Sequence, residues 1–429
     1  MTLSRTSGAP EALAGLAAER LDHRFKGLPP DADGRTVAEL TAERRNLFTD
    51  GFPTPVLTLS AERLTHNLAL LESYTTRHHL AFAPHGKTTM APALFHRQLA
   101  HGAWGITLAM PHQVRVAREF GISRIFLANE LVDAASLRWL AAEQDADPAF
   151  RHICYVDSVR GVELMDAALH EAGAVRPLEV VVELAAGPEG RTGARTAPEA
   201  SAVADAVAKT RTLQLVGVAG YEAQVPDATA GAVRDWTRQL VALAVDFDRE
   251  GRFAGPEIVV SAGGSEWFDA VTDILGEMPE LSAPVLKLLR SGAYVTHDHL
   301  HYRDRTPFNR VPEEGSLEPA FRLWAQVVSR PTEKQAFINA GKRDVAYDLG
   351  LPVVEVIRRG GDERTADGVS VTALSDQHAW LETGPGVDLE VGDWVGLGLS
   401  HPCTTFEKWP LIPVVEADGT VAEYVRTFF

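Results

Sequence analysis

The sequence predicts a (β/α)8 barrel followed by a C-terminal, mostly antiparallel β domain. Three observations support this fold class. Short apolar runs alternate eight times with helix-like stretches between residues 55 and 305. That length matches the roughly 250 residues of a typical barrel. Around Arg305–Glu318 the alternation gives way to a polar, proline-rich segment, and the runs beyond it are short and rich in β-forming residues. An open, doubly wound sheet is the alternative for the first part.

The eight apolar runs have the length of buried strands. Segments between them, such as PHQVRVAREFG, place apolar residues at positions i, i+3 and i+4 and end near a glycine, which is typical of helices. Strands that alternate with helices in this way predict a parallel sheet with crossover helices. The runs are Leu80–Ala83, Gly105–Ala109, Arg124–Ala128, His152–Val156, Leu178–Leu184, Leu213–Val218, Glu257–Ser261 and Val285–Leu289.

The same pattern sets the expected domain boundaries. Residues 1–50 are predicted to form a helical N-terminal extension, residues 51–308 the barrel, and residues 309–429 the β domain. Within the last region, the stretches FRLWAQVVSR, KQAFINAG, VSVTAL, DWVGLGL and LIPVVEA are separated by turn residues and are predicted to be strands.

Composition limits the classes of function. A chain of 429 residues suits two domains, and a formal net charge of −17 argues against a nucleic-acid partner. No apolar run approaches the roughly 20 residues of a membrane span. Cys154 and Cys403 are the only cysteines and lie far apart in sequence, so we expect no disulfide and a reduced, cytoplasmic setting.

Lys87 lies in the stretch APHGKTTMAP, directly after the first predicted strand. Active sites of barrel enzymes form at the carboxyl ends of the strands, so this lysine is expected at the mouth of the barrel. A lysine desolvated there has a lowered pKa and a nucleophilic amine, as a Schiff base requires. The alternative is a strand end with a solvated lysine.

Two glycine-rich loops follow the last two predicted strands. The seventh strand runs into SAGGSEW, with Gly263, Gly264 and Ser265, and the eighth into LRSGAY, with Gly292 and Tyr294. Glycines let backbone amides approach an anion, and these loops are the usual phosphate-binding place in barrels. A lysine after the first strand and a phosphate site after the last two together suggest pyridoxal phosphate.

Arg191 and Tyr221 follow the fifth and sixth predicted strands. At those strand ends they are candidates for contacts with the cofactor ring and its phenolic oxygen. The alternative readings are an arginine on a surface loop and a tyrosine that caps the strand end.

His401 and Cys403 are separated by one proline in GLGLSHPCTTF. In an extended segment both side chains would share one face and offer a bidentate grip on a metal ion. The sequence has no second cysteine pair for a four-ligand structural site, so a zinc ion there would keep open positions for water or substrate. His378, in the stretch DQH, offers a further histidine in the same domain.

These residues together resemble one known family. The motifs PHGKTTMAP, GGS, LRSGAYV, NAGKRDVAYDLGLP, SDQHAWL and SHPC appear in the order seen in the metal-dependent D-serine dehydratase and D-threonine aldolase group. That group is part of the alanine-racemase-type, fold type III pyridoxal phosphate enzymes. The match runs from Thr54 to about Pro413. It implies a barrel plus a β domain, an active site between them, and a homodimer.

The resemblance also implies roles for individual residues. Lys87 carries the cofactor, and His401 and Cys403 bind a divalent metal. Arg191 and Tyr221 lie around the cofactor ring. The residues that match Gly263, Gly264 and Tyr294 belong to the phosphate site in that group, beside Ser265 and Gly292 of the two loops described above.

Within that group, dehydratases carry His-x-Cys at the metal position, whereas threonine aldolases tend to carry His-x-Asp. The sequence therefore predicts a pyridoxal phosphate- and zinc-dependent dehydratase, with Mn or Mg as alternative metals. Its substrate would be D-serine or a related β-hydroxy D-amino acid, converted to a 2-oxo acid and ammonia. The alternatives are a D-threonine-type aldolase, a metal-free racemase using Tyr347 as a second acid or base, and a cofactor-binding protein without a reaction.

Overall fold

The computed structural model describes residues 9–429, so residues 1–8 of the predicted N-terminal extension lie outside the described part. The extension contains two short helices, α1 (Ala9–Ala17) and α2 (Val37–Ala42), joined by turns. Thr36 and Glu39 form a capping box at the start of α2. Apolar side chains of this segment, including Phe25, Leu40 and Leu47, pack against the β domain.

The strand that follows the extension is β1 (Val56–Ser60). It lies in the range predicted for the barrel, residues 51–308, but does not belong to the barrel. It pairs antiparallel with residues 321–324 and parallel with residues 414–415, and so belongs to the sheet of the β domain. The stretch VLTL is buried at every position, as a barrel strand would be. The sequence pattern therefore did not distinguish the two sheets.

The barrel follows, and all eight predicted runs form parallel strands in one sheet. This arrangement confirms the predicted fold class. Eight helices accompany the strands, one before the first strand and one after each of the first seven strands. The strands are β2 (Ala81–Phe82), β3 (Ile106–Leu108), β4 (Arg124–Glu130), β5 (Arg151–Val156), β6 (Leu178–Leu184), β7 (Leu213–Gly220), β8 (Ile258–Ser261) and β9 (Val285–Leu289). The helices are α3 (Ala61–Arg77), α4 (Pro92–Ala100), α5 (Pro111–Glu119), α6 (Ala134–Ala146), α7 (Val159–Ala172), α8 (Ala197–Val207), α9 (Ala230–Arg249) and α10 (Phe268–Gly276).

Backbone hydrogen bonds close the sheet into a barrel. The strand order is β2-β9-β8-β7-β6-β5-β4-β3, so β2 and β3 are the two end strands. The two end strands meet where Trp104 N–H donates to Phe82 O at 2.7 Å and Thr107 N–H donates to Pro84 O at 2.9 Å. Inward-facing apolar residues such as Phe126, Val181 and Val259 fill the interior. The barrel is therefore a packed core, and any ligand must bind at its end.

The β domain is mostly antiparallel, as predicted, and is joined to the barrel by a short helix, α11 (His301–Arg305). A second short helix, α12 (Pro402–Phe406), interrupts its last strands. The strands are β10 (Phe321–Thr332), β11 (Gln335–Ile338), β12 (Val353–Arg359), β13 (Asp362–Thr365), β14 (Val369–Leu374), β15 (Ala379–Thr383), β16 (Trp394–Gly398), β17 (Leu411–Val415) and β18 (Val421–Arg426). Across residues 9–429, no helix combines the length and the apolar composition needed to cross a lipid bilayer.

Candidate active site

A cavity of about 540 Å³ opens at the carboxyl ends of the barrel strands, where side chains of the β domain complete its wall. The structure brings most of the predicted site residues together here; Gly263 and Tyr294 are the two that do not line it. The predicted residues in the cavity wall are Lys87, Arg191, Tyr221, Gly264, Ser265, Gly292, His401 and Cys403.

Lys87 enters the cavity from a short 3-10 turn, Gly86–Thr88, directly after β2. Glycine is required at position 86 because a Cβ there would approach side-chain atoms of Ile106 and Phe95 to 2.8 Å. The Lys87 side chain faces the open space of the cavity and stays accessible to solvent, while protein walls surround it. Desolvation by these walls lowers the pKa of Lys87; the Cys403 thiolate opposes this, and the Arg191 and Arg290 charges add to it.

His401 and Cys403 meet in the wall contributed by the β domain, although the segment is not extended as predicted. Pro402 starts helix α12, and His401 precedes it with a left-handed backbone, φ 49°. Proline at the first helical position fits its fixed φ and missing N–H. The His401 side chain hydrogen-bonds to Cys403, and the Cys403 thiol donates to Thr88 Oγ1 at 3.4 Å. The pair is therefore adjacent to the turn that carries Lys87.

The electrostatics of this pair favour a thiolate beside a protonated imidazole. Burial opposes ionisation of the Cys403 thiol, but hydrogen bonds from His401 and Thr88 and the nearby charges hold its pKa below the ordinary value. Burial likewise opposes charge on His401, yet Cys403 and Asp348 raise the pKa of His401 to about 9. A thiolate is a ligand that zinc prefers, and the imidazole becomes one when a metal displaces its proton.

The two other residues considered for the β domain lie elsewhere. His378 is exposed in the turn between β14 and β15. Tyr347, which a racemase would need as a second acid or base, is 50% exposed outside the cavity wall.

The glycine-rich loops are only partly free to bind an anion. The N–H groups of Gly263 and Gly264 donate to the buried carboxylate of Glu222 at 3.0 and 2.5 Å. Gly292 packs so closely that a Cβ there would lie 2.6 Å from His85 O. By contrast, the backbone N–H groups of Ser265 and Gly292 have no hydrogen-bond partner among residues 9–429. These two groups and the Ser265 hydroxyl are the donors that remain for a phosphate.

Tyr294 departs from its expected position at the phosphate site. The 3-10 turn Ala293–Val295 directs its ring into the core, where it packs edge-on against Phe82 with ring centroids 5.2 Å apart. Only 3% of Tyr294 is exposed.

Comparisons with known proteins agree with this geometry. The family described as "Putative serine dehydratase domain" matches residues 320–415. The D-threonine aldolase of Arthrobacter sp is 26% identical over 377 residues, covering 86% of this chain and 90% of that protein. The 3-hydroxy-D-aspartate aldolase of Paracoccus denitrificans is 26% identical over 367 residues, covering 83% of this chain and 87% of that protein.

Solved structures extend the similarity across both domains. The crystal structure of D-threonine aldolase from Filomicrobium marinum is 26% identical, covers 88% of this chain and 95% of that one, and has a TM-score of 0.72. The chain therefore resembles pyridoxal phosphate-dependent lyases over most of its length. A metal-free cysteine-to-alanine mutant of a D-threo-3-hydroxyaspartate dehydratase has the same fold. It is 20% identical, has a TM-score of 0.69, and covers 90% of this chain and 99% of that chain.

The cavity of the lyase also contains residues that the sequence did not reveal. Arg290 is buried and donates a hydrogen bond to Gly220 O. Its guanidinium carbon lies 5.4 Å from the ring centroid of Phe126 and 5.7 Å from that of Tyr155. Its Nε has no hydrogen-bond partner among residues 9–429. The Tyr155 hydroxyl is buried and likewise unpartnered. A charged residue directly after an apolar strand, as in LLRSG, is the signal that could have identified Arg290.

Three carboxylates cluster at the ends of neighbouring strands. Oxygens of Glu130, Asp157 and Glu183 lie within 4.8 Å of one another. Desolvation and the neighbouring Glu183 raise the pKa of Glu130 to about 8. Desolvation also raises the pKa of Glu183, against hydrogen bonds from Glu130 and Thr192. Because like charges this close cannot all ionise, Glu130 and Glu183 share a proton at neutral pH.

Pyridoxal phosphate fits the residues that are present. The cavity combines an amine of lowered pKa on Lys87 with free N–H donors at Ser265 and Gly292. The unpartnered Arg290 Nε and Tyr155 hydroxyl are buried polar atoms that otherwise lack a hydrogen bond.

Proposed function

We propose that the lyase acts on D-serine or a related β-hydroxy D-amino acid and, with pyridoxal phosphate and a divalent metal, releases a 2-oxo acid and ammonia. One observation carries the proposal: Lys87 and the pair His401 and Cys403 line the same cavity, with Thr88 bonded to the Cys403 thiol. The residue that holds the cofactor and the residues that hold the metal can therefore act on one small substrate.

Each group has a distinct task in this proposal. Bound pyridoxal phosphate supplies an electron sink for the pair of electrons left when the substrate loses its α-proton. Lys87 Nζ, with its lowered pKa, binds the cofactor and, when freed from it, takes that proton. A metal on His401 and Cys403 supplies the Lewis acidity that lets the β-hydroxyl leave. One water is lost and one is taken up, so D-serine gives pyruvate and ammonia.

Arg191 is the group we assign to the substrate carboxylate. It projects into the cavity from the loop after β6, and its guanidinium makes no hydrogen bond with residues 9–429. Its backbone is fixed because its N–H donates to Gln224 Oε1 at 2.7 Å. An arginine fork binds a carboxylate bidentately, which would fix the orientation of the α-carbon toward Lys87.

Zinc is the metal we favour over Mn or Mg because thiolate is a soft ligand. Similar solved structures include a histidine mutant and a cysteine mutant of a dehydratase, at positions two residues apart, the cysteine mutant being metal-free. This spacing equals that of His401 and Cys403 and supports the assignment. A homodimer and a cytoplasmic location are further proposals that follow from the family resemblance.

An aldolase is the second candidate, and the names of the relatives favour it. The three curated relatives at 26% identity are all aldolases. The same lysine and metal would then serve to deprotonate the hydroxyl and break the Cα–Cβ bond, releasing glycine and an aldehyde.

Product analysis separates the two reactions. The purified lyase, supplied with pyridoxal phosphate and Zn²⁺, is incubated with D-serine, D-threonine or D-3-hydroxyaspartate. Our proposal predicts equal amounts of 2-oxo acid and ammonia. Release of glycine together with an aldehyde would identify the enzyme as an aldolase and not a dehydratase.

A further inference from the structure

Asp298 lies between the barrel and the β domain and is completely buried. It follows β9 in the stretch THDHLHY and forms no ion pair with any residue from 9 to 429. A buried carboxylate is costly unless hydrogen bonds compensate for its lost hydration. Its partners therefore show what the structure uses it for.

Four backbone N–H groups donate to the Asp298 carboxylate. Oδ1 accepts from Leu300, Tyr302 and Arg303 at 3.1, 2.8 and 3.2 Å. Oδ2 accepts from His401 N–H at 3.1 Å, across a sequence separation of 103 residues. One side chain thus joins the first turn of α11 to the backbone of a proposed metal ligand.

Both segments that Asp298 joins contribute to the cavity wall, through Tyr302 on one side and His401 on the other. His401 has φ 49°, a left-handed conformation that residues other than glycine adopt only at an energetic cost. Neighbouring bonds hold the same loop, since His299 N–H donates to Leu399 O at 2.9 Å and Leu399 N–H donates to His299 Nδ1 at 3.3 Å. Asp298 is the only one of these partners that bonds to His401 itself.

We propose that Asp298 is a positioning residue for the metal site: by accepting the His401 N–H it fixes the left-handed backbone that aims the His401 imidazole toward Cys403. This inference rests on the proposed function, because it presumes that His401 and Cys403 bind a metal. Asp298 does not line the cavity, and its effect passes through His401.

Two substitutions remove the His401 bond in different ways. In Asp298→Asn, the amide retains one acceptor oxygen for the three N–H groups of α11, and its NH2 group opposes the His401 N–H. In Asp298→Ser, the shorter side chain keeps a helix cap and does not reach His401. Asp393→Asn is the matched control, because Asp393 is also buried and accepts hydrogen bonds from Arg359 and Glu390 N–H, but at the opposite end of β16.

The measurement is the dissociation constant for Zn²⁺ of the pyridoxal phosphate-loaded protein, by competition with a chromophoric chelator. We expect both Asp298 variants to bind Zn²⁺ about 10- to 100-fold more weakly than the wild type, as loss of an outer-shell partner does elsewhere. Asp393→Asn should bind Zn²⁺ as the wild type does. The visible absorption of the bound cofactor and the unfolding temperature, recorded in parallel, separate a local effect from loss of the fold.

Either Asp298 variant, folded and binding Zn²⁺ as tightly as the wild type, would overturn the inference and leave the proposed function intact. A wild-type protein that binds no Zn²⁺ would overturn the metal assignment itself and the inference with it. The wild-type titration therefore tells the two failures apart.

Discussion

The Nδ1 atom of His401 lies 2.5 Å from Oδ2 of Asp348, and the other carboxylate oxygen of Asp348 accepts from the Thr404 hydroxyl at 2.9 Å. This contact fixes the imidazole so that Nδ1 is committed to the carboxylate and Nε2 is left for a ligand. Histidine ligands of metals are commonly oriented by a carboxylate in this way. The relationship gives the proposed metal site a supporting partner that the sequence motif SHPC does not contain.

Asp348→Asn should weaken Zn²⁺ binding about 10- to 100-fold. The amide holds Nδ1 less strongly than a charged carboxylate and no longer selects one orientation of the ring. Thr404→Val is the control, since it removes the second partner of Asp348 but leaves the contact with His401. Chelator competition measures both, and an Asp348→Asn protein with wild-type affinity would contradict this role.

Lys87→Ala should abolish covalent attachment of pyridoxal phosphate and lower the rate of the reaction by a factor of about 10² to 10⁴, the usual contribution of a general acid or base. Borohydride reduction of the wild type followed by peptide mapping should place the cofactor on the peptide that contains Lys87. Lys287→Ala is the control, because Lys287 lies in β9 outside the cavity wall. Cofactor found on any other lysine would be incompatible with the proposed site.

Ser265→Ala should raise the dissociation constant for pyridoxal phosphate about fivefold, the effect of losing one hydrogen bond of about 1 kcal/mol. The reason is that the Ser265 hydroxyl is one of few free donors at the two glycine-rich loops. Tyr294→Phe should leave that constant unchanged, since the Tyr294 ring packs on Phe82 outside the cavity. Fluorescence titration of the apoprotein measures both, and the reverse order of effects would restore Tyr294 to the phosphate site.

Glu130→Gln should flatten the pH dependence of stability. The folded protein raises the pKa of Glu130 from 4.5 to about 8, so between these values the folded state holds a proton that the unfolded state has released. The free energy of unfolding therefore falls as pH rises through that window, by up to about 1.4 kcal/mol per pH unit. Urea unfolding from pH 5 to pH 8 measures this slope in the wild type and the variant.

Glu163→Gln is the control for that experiment, because Glu163 is exposed on α7 beside Arg160. The free energy of unfolding of Glu163→Gln should change with pH at the same slope as that of the wild type. A Glu130→Gln protein with an unchanged slope would mean that Glu130 and Glu183 do not share a proton.

The barrel was predictable because strands buried on both faces appear as short, continuous apolar runs. The run Leu178–Leu184 coincides with β6, and Val285–Leu289 coincides with β9. The predicted boundary at residue 51 assigned Val56–Ser60 to the barrel, although its strand partners lie at residues 321–324 and 414–415. Pairing between segments so distant in sequence leaves no mark on local periodicity.

Candidate site residues were predictable where one side chain follows a strand end directly, as Lys87 does. They were missed where function depends on a distant partner. Glu222 accepts hydrogen bonds from the N–H groups of Gly263 and Gly264, 41 and 42 residues away. Asp298 accepts one from the His401 N–H, 103 residues away. The helical turn at Pro402–Phe406 had a local signal, proline after His401, that the expectation of an extended segment overlooked.

The most direct test of the proposed function measures pyruvate released from D-serine by the purified lyase, before chelation, after chelation, and after Zn²⁺ is restored. We expect that pyruvate forms, that chelation stops its formation while the cofactor on Lys87 keeps its visible absorption, and that Zn²⁺ restores it. Pyruvate formation that continues unchanged in chelator, or glycine and an aldehyde released from D-threonine with no pyruvate from D-serine, would contradict it.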